Sequence, residues 1–204
     1  MLAIVDYGVG NLFSLRSSFA SIGAEAVVTD RKDVIAQADK VVLPGVGAFG
    51  DAAQKLKDSG LSDVVIGEAK AGKPLLGICL GMQLLFEKSY EFGEFDGLRL
   101  IEGCVRPIGE VIPASYKIPH IGWNSLIFKQ DSPLFEYTKN GEYVYFVHSY
   151  YAHTGAENVI ATTEYGAELT AAVQKGNVFG CQFHPEKSGN VGLGMIKAFC
   201  EVKA

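Results

Sequence analysis

The chain has 204 residues, 48% of them hydrophobic, enough for one domain with a core that removes roughly 70% of the unfolded surface from water. Its formal net charge of −5 argues against nucleic acid or an anionic membrane surface as the main partner, and no apolar run approaches the roughly 20 residues of a membrane helix. The start is apolar only as far as Val5, too short for a secretory signal, and the four cysteines (Cys79, Cys104, Cys181 and Cys200) lack CxxC spacing, which speaks against a disulfide framework or a zinc site. Reduced thiols of a cytoplasmic protein are expected, with no metal and no cofactor.

Along the chain, LAIVD (2–6) is short and apolar and predicts a buried strand. After the YGVG turn, residues 11–23 read as a helix with Leu12, Leu15, Phe19 and Ile22 on one face and Gly23 as its stop. EAVVTD (25–30) and DKVVLPG (39–45) predict two more strands, and helices are expected over 50–58 and 61–71. KPLLGI (73–78) predicts a fourth strand, followed by a helix over 80–89. Strands spaced by helices imply parallel pairing, right-handed crossovers and a sheet covered on both faces, with ligands at the carboxyl ends of the strands. The second half changes rhythm. Residues 142–152, 158–165, 169–176 and 177–183 are β-rich with short turns, QKGN being a hairpin turn, so an antiparallel extension is expected. A last helix is predicted over 190–202. The expected fold is a flavodoxin-like three-layer αβα arrangement, mostly parallel with an antiparallel extension, in one domain over 1–204.

The chemistry centres on Gly77-Ile78-Cys79-Leu80-Gly81, which lies where strand gives way to helix. That frame matches the nucleophile elbow, in which a strained turn lifts a side chain above the sheet, and the helix N-terminus behind it favours a thiolate. The competing reading is a buried structural cysteine. A thiol needs a base. His184 follows an apolar strand, with Pro185 stiffening the turn and Glu186 able to fix the imidazole tautomer. His148, in FVHSYYA, ends a strand too and is a rival base that residue-level reasoning leaves open. Acyl chemistry also needs oxyanion donors, for which the Leu80 amide and the amides of Pro44-Gly45-Val46-Gly47 are candidates, the latter against a plain turn. Gln83 lies one helical turn beyond Cys79 and either holds a polar substrate end or is solvated. GVGN (8–11) is a poor match to a dinucleotide fingerprint.

GICLGMQ with a downstream FHPE resembles the class I (triad-type) glutamine amidotransferases. DYGVGNLFS, LPGVGAFG, PHIGWN, VYFVHSY, ATTEYG and GCQFHPEKSG narrow the resemblance to the branch that serves imidazole glycerol phosphate synthase in histidine biosynthesis. The resemblance covers essentially the whole chain, with no departure at the catalytic positions. It implies Cys79 as nucleophile, His184 as proton shuttle and Glu186 as its orienter, and it assigns His148 to the substrate strand. It further implies an oxyanion site from the amides of Leu80, Val46 and Gly47, and a glutamine site from Gly47, Gln83, Ser149 and Tyr150. The implied partner is a separate (β/α)8-barrel cyclase subunit in a heterodimer, which receives the ammonia. Asn11, Ser14, Trp123 and Lys187 are the implied interface, although on physical grounds alone Trp123 suits a core as well as an interface. Competing functions are the glutaminase of a purine, folate-precursor or pyridoxal phosphate synthase, a non-enzymatic flavodoxin-like binding module, and, more remotely, a cysteine peptidase.

Overall fold

In a computed structural model that describes residues 1–203, the elements follow in the order β1 (Leu2–Val5), α1 (Leu12–Ser21), β2 (Ala26–Thr29), α2 (Lys32–Gln37), β3 (Lys40–Leu43), α3 (Phe49–Asp58), α4 (Leu61–Lys70), β4 (Leu75–Ile78) and α5 (Leu80–Leu84). The second half adds β5 (Lys88–Ser89), β6 (Phe95–Asp96), β7 (Cys104–Pro107), β8 (His120–Ser125), β9 (Ile127–Phe128), β10 (Tyr143–His148), β11 (Tyr150–His153), β12 (Val159–Glu164), β13 (Glu168–Lys175), β14 (Val178–Cys181) and α6 (Gly189–Glu201).

The central sheet has eight strands in the order β2-β1-β3-β4-β14-β13-β12-β9. Pairing is parallel from β2 through β14 and antiparallel beyond. Successive residues of the buried strands feed two different cores, as a sheet covered on both faces requires. Ala3 and Val5 pack with Ile35 of α2, Phe49 and Leu56 of α3 and Val65 of α4. Leu2 and Ile4 pack with Leu15 and Phe19 of α1 and with Met195, Ile196 and Phe199 of α6. The three-layer αβα expectation therefore holds.

Three local expectations change. The helix expected over 80–89 stops at Leu84, and β5 begins at Lys88. The carbonyls of Leu84, Leu85 and Phe86 accept from the amides of Leu98, Leu100 and Arg99, so the loop that follows takes the bonds a continuing helix would have used. The β-rich run 142–152 is two strands, broken at Ser149. β10 pairs with β8, whereas β11 joins a separate four-stranded sheet, order β11-β7-β5-β6. The third change matters most for the site. The run 177–183, expected within the antiparallel extension, does leave β13 through the QKGN hairpin, but its strand lies parallel beside β4, with Cys181 opposite Ile78. The last strand of the chain thereby delivers His184 to the strand end that carries Cys79.

Candidate active site

Cys79 sits alone between β4 and α5 with φ 54 and ψ −111, a backbone region that L-residues rarely adopt. Its amide donates to Cys181 O at 2.8 Å, which ties the turn to β14. The flanking glycines are there for close approach. A Cβ on Gly81 would stand 1.8 Å from Leu43 O, and one on Gly77 would stand 2.7 Å from Gly81 O. Leu80 N–H is the first amide of α5, one of those a helix leaves without an intrahelical partner. The elbow expected from the motif is therefore present, and the sulfur is displayed into a cavity even though the residue is 8% exposed.

His184 follows β14, and Ser188 holds its backbone. Ser188 Oγ donates to His184 O at 2.6 Å and accepts from Tyr145 N at 3.0 Å, while His184 N donates to Tyr145 O at 2.9 Å. Sequence reasoning missed this serine, whose partner Tyr145 lies on a different sheet. His184 Nδ1 donates to Glu186 Oε1 at 2.8 Å, with both side chains almost fully buried. A carboxylate only accepts, so the Nδ1 proton is fixed and Nε2 is the nitrogen left for Cys79. Burial acts to lower the His184 pKa, but hydrogen bonds to Cys79 and Glu186, together with their charges, override it and raise it to about 9. The protonated imidazole is thereby favoured beside the sulfur.

His148 is buried too but is held differently. Its Nδ1 donates to Tyr150 O at 2.8 Å, its Nε2 meets His120 Nδ1 at 3.0 Å, and His120 Nε2 reaches Asn124 Oδ1 at 2.9 Å. Burial is the main cause that pulls its pKa down to about 3. Both ring nitrogens have protein partners, so neither serves Cys79.

A cavity of about 610 Å³ collects Cys79, Leu80 and His184 with Val46, Gly47, Gln83, Ser149 and Tyr150. Gln83 is 5% exposed, so it is not a solvated helix residue. Its Nε2 donates to Tyr150 O at 3.2 Å and to Gln182 Oε1 at 2.9 Å, which occupies both protons and leaves Oε1 as an acceptor. Below the Val46–Gly47 turn, Tyr7 Oη donates to Pro44 O at 2.7 Å. Glu91 also lines the cavity and is its one carboxylate. Burial raises its pKa, against a 2.6 Å hydrogen bond from Phe49 N. Glu91 escaped sequence reasoning because it lies just past the helix expected over 80–89, in a stretch assigned to no element, and a glutamate there carries no local signal.

Of the expected interface residues, Trp123 is 51% exposed and stands edge-on to Tyr145, with ring centroids 6.1 Å apart. Lys187 Nζ lies 5.9 Å from the same tyrosine ring, so Trp123, Tyr145 and Lys187 form one patch beside the triad turn. Asn11 Oδ1 accepts from Ser14 N and caps α1, and Ser14 and Glu186 border one groove, which brings the start of α1 to the same side.

Residues 3–201 match the family described as Glutamine amidotransferase class-I. The chain belongs to the class I glutamine amidotransferases. This amidotransferase is 48% identical to the imidazole glycerol phosphate synthase subunit HisH of Caldanaerobacter subterraneus subsp. tengcongensis, over 99% of its own length and 98% of that protein's. It is 49% identical to the HisH subunit of Methanothermobacter thermautotrophicus, again over 99% and 98%. The family match and the likeness to these subunits over nearly the full length of both chains set aside the binding-module and peptidase readings. A solved glutamine amidotransferase shares its fold, with a TM-score of 0.75 at 19% identity over 97% of this chain and 98% of that one. No helix among the described residues is long and apolar enough to cross a membrane, and no group of three or more His, Cys, Asp or Glu among them is arranged to hold a metal ion.

Proposed function

We propose that this amidotransferase, as one domain over 1–204, hydrolyses L-glutamine through Cys79, His184 and Glu186. It passes the ammonia to a (β/α)8-barrel cyclase subunit of imidazole glycerol phosphate synthase, in a cytoplasmic heterodimer. The observation that carries the reading is the line from Glu186 through His184 to Cys79 at the wall of one cavity. The Cys79 sulfur attacks the side-chain amide carbon of glutamine. The amides of Leu80, Val46 and Gly47 receive the developing oxyanion. His184 Nε2 gives its proton to the amide nitrogen, the C–N bond breaks and ammonia leaves. Water then adds to the thioester and gives a proton to His184. The C–S bond breaks, glutamate departs and the thiolate is restored. Glu186 holds the imidazolium in both steps.

Charge complementarity supports the substrate site. The Glu91 carboxylate and Gln83 Oε1 suit the α-ammonium of glutamine, and the amides at Gly47, Ser149 and Tyr150 suit its polar oxygens. Asn11, Ser14, Trp123 and Lys187 lie on the side proposed for the cyclase. Free cysteines throughout suit a reducing compartment. The test is glutamine turnover by the chain alone and with the cyclase and its nucleotide ligand. Strong stimulation in the complex and loss in Cys79→Ala are expected. Full turnover in Cys79→Ala ends the mechanism, and equal turnover alone and in complex ends the coupling. Stimulation by the synthetase of a purine or folate-precursor pathway instead reassigns the partner.

A further inference from the structure

Gln182, two residues before the base, is absent from the mechanism above and is fully buried. Its amide must find partners for both ends, and the surrounding bonds decide which end points where. Tyr150 O, a backbone carbonyl, can only accept, so the side-chain atom of Gln83 beside it is nitrogen. The second proton of that nitrogen meets Gln182 at 2.9 Å, so the Gln182 atom there is oxygen. Its nitrogen is thereby turned to Cys79, 3.7 Å from Sγ. Flipping Gln83 would set two carbonyl oxygens against each other. Flipping Gln182 would set two amide nitrogens together and an oxygen against sulfur. The orientation is locked from the backbone of β11 through two side chains to the reactive atom.

We propose that Gln182 is a catalytic residue of this amidotransferase, whose Nε2–H donates to the Cys79 thiolate. The proposal rests on Cys79 being the nucleophile. A buried thiolate needs donors, and a donor to a charged acceptor binds it about twice as strongly as a neutral one. His184 supplies one donor but moves its proton to the leaving nitrogen. Gln182 cannot titrate, so it keeps the sulfur aimed and charged whatever the state of His184. When water opens the thioester, the same N–H stabilises sulfur as the leaving group.

The deciding experiment is the pH dependence of Cys79 alkylation by iodoacetamide in the full chain, with kcat and KM for glutamine measured in the complex. Gln182→Glu keeps an acceptor for Gln83 but turns an acceptor and a negative charge toward the sulfur. It is expected to move the alkylation midpoint up by about one pH unit and to lower neutral-pH kcat about tenfold, with partial recovery at higher pH and KM nearly unchanged. Gln182→Met removes the donor without adding charge, gives a shift in the same direction, and serves if the glutamate variant does not fold. Unshifted alkylation in a folded variant overturns the proposal, whether turnover falls or not. Alkylation needs neither glutamine nor the cyclase, and failure of the underlying reading shows separately as turnover that survives Cys79→Ala.

Discussion

The ends of β10 and β14 look alike in sequence: an apolar strand, then a histidine, then a turn. At β14 the imidazole meets one carboxylate at Nδ1 and turns Nε2 to the sulfur, and its pKa rises to about 9. At β10 the imidazole is held between a carbonyl and a second histidine, and its pKa falls to about 3. Burial is common to both. An acidic neighbour suits one to the proposed work of carrying a proton, and saturation by protein partners leaves the other as a strut at the Tyr150 carbonyl, which also accepts from Gln83.

The sharpest way to break this comparison is to remove each group. Cys79→Ala and His184→Ala are expected to lower glutamine turnover about 10⁴-fold or more in the complex, since triad members act as a unit. Glu186→Gln leaves the imidazole without its charged orienter and is expected to lose about 10²- to 10⁴-fold in kcat. Trp123→Ala tests the neighbouring patch. Binding of the cyclase, followed by titration calorimetry, should weaken by about 2 kcal/mol, and thermal stability should change by no more than about 0.5 kcal/mol. Unfolding as the main effect would return Trp123 to the core. His148→Gln is expected to lower kcat by less than about tenfold, and a loss equal to that of His184→Ala would erase the distinction between the two strand ends.

Stability against pH separates the two histidines as well. His184 is raised above its unfolded value, so its contribution is complete below about pH 6.5 and is lost as pH rises through about 9. His148 is lowered, so the unfolded chain binds more protons between about pH 6.5 and 3, and stability falls as pH drops through that window. Melting temperature should therefore fall on both sides of about pH 6.5, each group contributing a slope of at most about 1.4 kcal/mol per pH unit. His184→Gln should flatten the alkaline limb and His148→Gln the acid limb. A profile unchanged in both variants would remove these histidines as its cause.

The local sequence determined the elements whose cause is local. The apolar strands β1 to β4, the helices α1, α3 and α4 and the Cys79 elbow follow from hydrophobic period and from glycines that let backbones touch, as Gly81 does at Leu43 O, whereas the short α2 gave no such signal. His184 and Glu186 were legible as a pair because two positions along one turn bring them together. What the sequence left open depended on pairing between distant segments. Placing β14 parallel to β4 put His184 beside Cys79 and, with it, Gln182 beside the sulfur. The break at Ser149 sent β10 and β11 to different sheets and set Ser149 and Tyr150 in the same cavity wall as Glu91 and Gln83. A histidine, glutamine or glutamate reads the same in any strand end or loop. Only its tertiary neighbours fix which of its atoms donates, which accepts and where its charge lies.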